Sequence, residues 1–499
     1  MVQWKWVDAQ TAEQGLSLLR RLADHGYEGY FVGGCVRDEL LGRPINDMDI
    51  ATNATPEQVI DLFEHTVPTG IAHGTVTVIV DGEHFELTTY RTESQYVDHR
   101  RPEQVEFVSD LYEDLRRRDF TMNAIARGLN DDYVDPFNGR DDLAKGIIRC
   151  VGEAEERFEE DALRMLRGIR FASVFDFELE HTTWQALVHR RELISYIAAE
   201  RIRVEMEKMI AGPHPLKGVE LLRASGLVEH MKIHVPCPPQ RPELLQHLDD
   251  LTPLKWNERI EELSSRSAHE QSLWQQTSLD RSLLTWTLIA LSLGLNADHV
   301  RPTMKEWTFA NVFTERIARL IRLHEWLNIQ TQSRIQQPFP SESSLPSCPD
   351  DDTESMQDAS VSDYDVKEGD RSKQEVVDEA QPSRAAFRIW TEGVIHYGRE
   401  AAVHWLLLHY TLSQDAPLSL LDEIADHAAE WLAKQTVWSL ADVNINGQQV
   451  LAALDTRGGA WLGQLMNEIL LHVAVGDLAN DTDTIVQYAV RRHGEGERA

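Results

Sequence analysis

Residues 29–52 read GYFVGGCVRDELLGRPINDMDIAT. Gly29 to Val32 is a short apolar run that reads as a strand entering Gly33-Gly34, and Met48 to Thr52 reads as a second strand beginning just after Asp47. Two glycines after a strand let backbone N–H groups approach an anion closely, and a helix starting there adds a favourable dipole. Side chains alternate along a strand, so Asp47 and Asp49 share one face while Met48 and Ile50 turn to the core. Two neighbouring carboxylates repel each other, and a divalent cation is the usual remedy.

Further along, Thr75 to Val80 and Glu83 to Tyr90 flank Asp81-Gly82, the dipeptide favoured by the type I′ hairpin turn. With Phe85 and Leu87 facing one way, Glu86 and Thr88 face the other, which brings a third carboxylate to the polar side of the same sheet. Three acidic groups beside a glycine-rich anion site suit two-metal phosphoryl or nucleotidyl transfer. The run Arg116-Arg117-Arg118-Asp119-Phe120-Thr121-Met122-Asn123 is either a solvated basic turn or a source of charge against a triphosphate, with Asp119 and Asn123 ordering the loop or touching a sugar. Arg91 to Val108 shows no clear period and reads either as a plain surface loop or as a mobile element over a site.

In the stretch ERFEEDALRMLRGIRFA (156–172), Asp161 and Arg164 stand one helical turn apart. The spacing suits a surface ion pair. It also suits a base reader, because a carboxylate accepts from the exocyclic amine of cytosine or adenine and repels the carbonyl that uracil and guanine carry in its place.

The 499-residue chain carries 82 acidic and 49 basic residues, a net −33, which excludes coating nucleic acid by bulk charge; any nucleic acid is to be held by a local basic patch. The dispersed cysteines Cys35, Cys150, Cys237 and Cys348 form no disulfide framework and no zinc motif, and fit a reducing cytoplasm. The first residues, MVQWKWVDAQ, show no secretory signal, and the longest apolar stretch, Leu283 to Leu295, is a buried helix too short for a bilayer, so no membrane role is expected. From about Glu155 the pattern is almost wholly helical, so the fold class is α+β: a small mixed-sheet head followed by an all-α remainder. Ser341 to Ala380 holds 13 acidic against 3 basic residues with Tyr364 its sole aromatic, and 333–383 reads as a disordered acidic insertion within the helical region.

Taken together and in order, GGCVRD, NDMDIAT, HFELTTYRTE, RRDFTMNA and ERFEEDALRMLRGIRFA resemble the class II tRNA nucleotidyltransferases, the CCA-adding enzymes, and the bacterial poly(A) polymerases of the same superfamily. GGAWLGQLMNEILLHVAVGDLAND, within Trp438 to Arg492, is similar to the tail of the short Bacillus-type enzymes. The resemblance implies a nucleotidyltransferase head (1–150), a neck (151–212), a helical body (213–332 and 384–436) interrupted by the insertion, and a tRNA-binding tail (437–499). It also implies template-independent addition of CCA to the tRNA 3′ end from CTP and ATP with release of pyrophosphate.

By the same resemblance, Asp47 and Asp49 bind Mg2+ with Glu86 assisting, Gly34, Arg37 and Arg118 belong to the nucleotide site, and Asp161, Arg164, Arg167 and Arg170 form the neck motif that reads the base. An enzyme adding only A, or a poly(A) polymerase, would keep the same carboxylates and reader. CC-adding relatives lack part of the loop after the catalytic hairpin, and Arg91 to Val108 is full length, which favours terminal A addition. A catalytically silent RNA-binding protein is the rival of another class, and the intact acidic triad argues against it. There is no His-Asp dipeptide, so an appended phosphohydrolase is not expected. The tRNA itself would be gripped by shape, through phosphate and 2′-hydroxyl contacts.

Overall fold

The computed structural model describes residues 3–97, 101–236, 239–265, 268–335, 383–412 and 420–496. The expected insertion lies outside the described residues except at its two ends. By contact density the described chain forms two compact units, 1–322 and 323–499.

The first unit opens with α1 (Ala9–Asp24), whose amino end is capped by Asp8 and whose Leu16, Leu19 and Leu22 are buried. A seven-stranded mixed sheet follows: β1 (Gly29–Val32), β2 (Ile50–Thr52), β3 (Thr66–Gly70), β4 (Thr75–Val80), β5 (Glu83–Thr89), and then β8 (Ala126–Arg127) and β9 (Tyr133–Val134), with the ribbon strands β6 (Arg91–Val97) and β7 (Arg101–Phe107) between. Its order is β3-β4-β5-β2-β1-β8-β9, with β2 and β5 parallel and the other pairs antiparallel. A Cβ on Gly15 would stand 3.0 Å from the Phe31 ring, so α1 packs on the sheet more closely there than a larger residue would allow without a shift of the ring. Helices α2 (Gly34–Leu41), α3 (Pro56–Leu62), α4 (Leu111–Arg116) and α5 (Gly139–Lys145) fill the connections. The expected Asp-Gly hairpin forms, with φ +49° at Asp81 and +91° at Gly82, as a type I′ turn requires.

Three local expectations are corrected. The second strand starts at Ile50, so Asp47 and Asp49 precede it, although Met48 and Ile50 are buried as anticipated. Arg91 to Val108 is neither an open loop nor without structure: β6 and β7 pair antiparallel over Arg91–Phe107 and Val97–Arg101. Among the described residues this ribbon is a two-stranded sheet separate from the main one, and strands outside the main sheet are not obliged to alternate apolar with polar residues. Finally, Asp161 is not on a helix: α6 (Ala154–Glu160) and α7 (Leu163–Phe175) are separate, and Asp161 lies between them with φ −136° and ψ 103°.

Two more helices, α8 (His181–Arg190) and α9 (Ala199–Ile210), complete the segment next to the head. Beyond them the unit is helical, and Leu283 to Ser292 is buried throughout within the helix Arg281–Ser292. No described helix is long and apolar enough to cross a membrane. In the second unit the helices Arg384–Tyr397, Arg399–Leu412 and Leu420–Lys434 are followed by a cluster built from Val443, Val450, Leu465, Ile469 and Ile485 on three further helices and their connections.

Candidate active site

The end of β1 turns sharply into α2 at Gly33, whose φ is +72°. A Cβ at Gly33 would lie 3.1 Å from Arg118 Nη1, so the backbone angle and the close approach both demand glycine. At Gly34, the residue singled out from the motif, a Cβ would only make ordinary contact, 3.7 Å from Arg37 Nη2. The steric demand therefore falls on Gly33, one position earlier, although both glycines line the same cavity.

That cavity, of about 470 Å³, collects Asp49, Arg37, Arg118, Asp161, Arg164, Arg167 and Arg170, residues drawn from four separate motifs. Seven arginines and three aspartates line it among the described residues, giving a strongly basic hollow in a chain of net charge −33. Arg117 and Arg201 are the other two arginines.

A hydrogen-bonded chain holds the hollow together. Arg37 donates from Nη1 to Asn123 Oδ1 at 2.7 Å, Asn123 donates from Nδ2 to Asp119 Oδ1 at 2.9 Å, and Arg167 donates from Nε to Asp119 Oδ2 at 2.8 Å. Burial alone would push the Asp119 carboxyl up, but Arg167, Asn123 and Arg164 outweigh it and hold the group well below the usual carboxylate range. Asp119 and Asn123 thus order the loop, the first of their two anticipated roles. Arg170 donates to buried Glu205 at 2.5 Å and lies 3.9 Å over the Phe171 ring, on which Arg37 and Arg167 also converge at 5.3 and 5.4 Å. Arg118 is anchored on Asp114 at 3.2 Å, and its Nε is buried with no hydrogen-bond partner among the described residues. An orphaned guanidinium donor beside a glycine turn fits an anionic ligand.

Asp49 lines the cavity, while Asp47 and Glu86 are exposed and lie outside its lining, both close enough to act on the Asp49 carboxyl. The parallel register of β2 on β5, Ile50 opposite Leu87, carries Glu86 beside Asp49. Burial first, and then Glu86, push the Asp49 carboxyl up to about 6; Arg118 opposes them and Asp47 adds a smaller push. Among the described residues no group of three or more His, Cys, Asp or Glu side chains is gathered closely enough to hold an ion. The three carboxylates expected to serve two-metal transfer are thus near one another without forming a closed set of ligands. Nevertheless, hard oxygen donors whose mutual repulsion raises a carboxyl pKa match the needs of a small divalent cation.

Asp161 and Arg164 both line the cavity, and the Arg164 amide donates to the Asp161 carbonyl at 3.0 Å. Arg164 donates to Glu160 at 2.7 Å and to the carbonyls of Arg157 and Arg117 at 3.2 and 2.9 Å. Asp161 accepts from the Leu163 amide at 3.1 Å and from Arg201 Nη2 at 3.0 Å. Arg201 and Glu205 were not anticipated; they stand four residues apart on α9, so helical spacing could have paired them with each other but not with this site.

Residues 29–149 match the poly A polymerase head domain family, and residues 176–235 match a family described as a probable RNA and SrmB-binding site of polymerase A. The CCA-adding enzyme of Enterococcus faecalis is 32% identical over 487 residues, 98% of either chain. That of Lactobacillus helveticus is 42% identical over 318 residues, 64% of this chain and 73% of its own. The crystal structure of the Bacillus stearothermophilus CCA-adding enzyme in complex with CTP aligns with a TM-score of 0.68 at 28% identity, covering 97% of this chain and 98% of that one. The Thermotoga maritima CCA-adding enzyme complexed with tRNA shares the fold, with a TM-score of 0.60 at 18% identity over 98% and 97% of the two chains.

Proposed function

The chain belongs to the CCA-adding enzyme family, and from that premise we propose how its own residues carry out the reaction. It adds C, C and A to the 3′ end of tRNA from CTP and ATP. The tRNA 3′-oxygen bonds to the α-phosphorus, the α–β phosphoanhydride bond breaks, and pyrophosphate leaves. The observation that carries the assignment of roles is the single cavity in which Asp49, the motif arginines and the Asp161–Arg164 pair meet.

Such transfer ordinarily uses a divalent metal, and we assign magnesium, held by Asp47 and Asp49 with Glu86 beside them. When bound, the ion stabilises the charge gathering on the phosphate and lowers the pKa of the attacking hydroxyl. Arg37 and Arg118 are assigned to the triphosphate, supported by the glycine turn and by the buried, unpartnered Nε of Arg118. Arg167 and Arg170 keep the basic wall in place through Asp119 and Glu205. Asp161 accepts from the amine that C and A share, and Arg164 donates to the neighbouring ring atom. We keep the division into head, neck, body and tail at the boundaries given above, with the cytoplasm as the place of action.

The test is incorporation of CTP and of ATP, each alone, into tRNA lacking its 3′ end and into tRNA ending in CC. Full activity means C addition on the first substrate and A addition on the second. Addition of A alone would make it an A-adding enzyme, long A tracts a poly(A) polymerase, and no incorporation a silent RNA-binding protein.

A further inference from the structure

We infer that Arg201 is the positioning residue that sets nucleotide selectivity, acting through Asp161; the inference rests on the base-reading role proposed for Asp161. Asp161 occupies a two-residue break between α6 and α7, its backbone tied to both sides by its own N–H to the Arg157 carbonyl at 3.3 Å and by the Arg164 N–H to its carbonyl at 3.0 Å, so it is the direction of the side chain that other contacts must set. Its carboxylate is anchored at each oxygen: Oδ1 accepts from the amide of Leu163, and Oδ2 accepts from Nη2 of Arg201 at 3.0 Å. The first is local and, as one hydrogen bond to one oxygen, does not by itself set the plane of the carboxylate. The second comes from forty residues along the chain and fixes which lone pairs face the cavity.

The two halves of the reader are held by different parts of the protein. Arg164 is clamped by Glu160 and by the carbonyls of Arg157 and Arg117, all supplied by its own helix–turn segment and the arginine loop. Asp161 depends on α9. That helix also carries Glu205, one turn beyond Arg201, which holds Arg170 and stands 3.9 Å from Arg167. A single helix face therefore orients the base-reading carboxylate and the neighbouring basic wall.

The placement of Arg201 is not what helix stability would select. It lies in the first turn of α9, whose amino end has no side-chain cap, and a cation there opposes the helix dipole, whereas Glu200 beside it accords with that dipole. The side chains of Arg201 and Asp161 are 31% and 18% exposed, and ion pairs in contact with water contribute little to overall stability. A pair that costs the helix and adds little to the fold accords with a role in geometry. The acceptor must meet an amine in C or A and confront a carbonyl in U or G, and a carboxylate free to rotate away loses that contrast.

The experiment uses the full chain with Arg201→Met, Arg201→Lys, Asp161→Asn and the double variant Asp161→Asn/Arg201→Met. The readouts are the ratio of kcat/KM for CTP to that for UTP on tRNA lacking its 3′ end, and the melting temperature. Arg201→Met should lower the ratio by about tenfold, the scale seen when a group that orients a contact residue is lost, with the melting temperature little changed. Arg201→Lys should restore part of the ratio, because it keeps a cation within reach of Asp161. The double variant should be no less selective than Asp161→Asn alone, since the carboxamide can donate to a carbonyl as well as accept from an amine and leaves no discrimination for Arg201 to enforce. Native selectivity in Arg201→Met, or losses that multiply in the double variant, would overturn the inference while leaving the base reader standing. Unchanged selectivity in Asp161→Asn would overturn the base reader itself, and this inference with it. Should Arg201→Met fail to fold, Arg201→Gln, polar but uncharged, carries the same comparison.

Discussion

Asp49 is the residue on which chemistry and stability pull in opposite directions. Its carboxyl is pushed up to about 6 by burial and by Glu86, so at neutral pH its charge is carried at the expense of the fold. Asp49→Asn should therefore leave the melting temperature in EDTA unchanged or higher, while CTP incorporation falls by about a thousandfold, the equivalent of losing about 4 kcal/mol of transition-state stabilisation. Asp47→Ala should be similarly inactive with its fold intact, since the side chain is exposed. Near-normal incorporation by either variant would remove these residues from the catalytic centre. Asp161→Ala should change choice more than speed: one base-edge contact is worth about 1–3 kcal/mol, or about ten- to a hundredfold in discrimination against UTP and GTP. Misincorporation assays with all four nucleotides read this directly.

At the scale of elements, helix ends and the ribbon make separate predictions. Glu180 caps α8, accepting from the Thr183 amide at 3.0 Å and the Thr182 hydroxyl at 2.6 Å, with Arg149 3.4 Å away. Burial works against its charge, but these donors outweigh it and hold the carboxyl at about 2. Because the folded value lies below the ordinary 4.5, the cap's contribution is fully present above pH 4.5 and is lost as the pH falls toward 2. Glu180→Gln should cost about 1 kcal/mol at pH 7, and the gap from the parent should narrow between pH 4.5 and pH 3 in thermal melts followed by circular dichroism. Among the described residues the ribbon of β6 and β7 forms a sheet of its own, so shortening it need not disturb the seven-stranded sheet. Shortening it should spare C addition and lose terminal A addition, scored on tRNA ending in CC. Equal loss of both would mean that the ribbon supports the active site as a whole.

For the molecule as a whole, charge is divided unevenly: a basic hollow of seven arginines sits in a chain of net −33. Part of the acidic excess lies in Ser341 to Ala380, a net −10 by composition. Helices bracket that stretch, one ending at Ile335 and the next beginning at Arg384 after its Ser383 cap. Doubling the length of a flexible connection costs only about 0.6 kcal/mol in closure entropy, so an insertion at such a point is tolerated without a structural purpose. Deleting Glu342 to Gln381 should leave tRNA completion intact and tighten tRNA binding slightly at low salt, where screening is weakest. Filter binding at two salt concentrations, with incorporation assays alongside, checks both parts; a large fall in activity with unchanged circular dichroism would assign the segment a function.

What the amino-acid order determined by itself is whatever depends on a few neighbouring residues. The strand before Gly33-Gly34 and the Asp-Gly hairpin follow from steric limits on φ and from strand alternation, and the helical character after Glu155 follows from periodicity; all are present. Gly34, Arg37, Arg118, Asp161, Arg164, Arg167 and Arg170 can be named in advance through the resemblance of their motifs, and all of them line one cavity. Tertiary structure decided how those residues are held. Asp161 leaves the helix that its spacing suggested, its carboxylate accepts from Arg201, and the neck arginines Arg167 and Arg170 rest on Asp119 and Glu205. The contacts from α9 join residues about forty positions apart, whose meeting depends on how α7 packs against α9, and no local propensity encodes that distance. The ribbon escaped a period-based reading because strands outside the main sheet need not alternate, and alternation is the signal by which a strand is read.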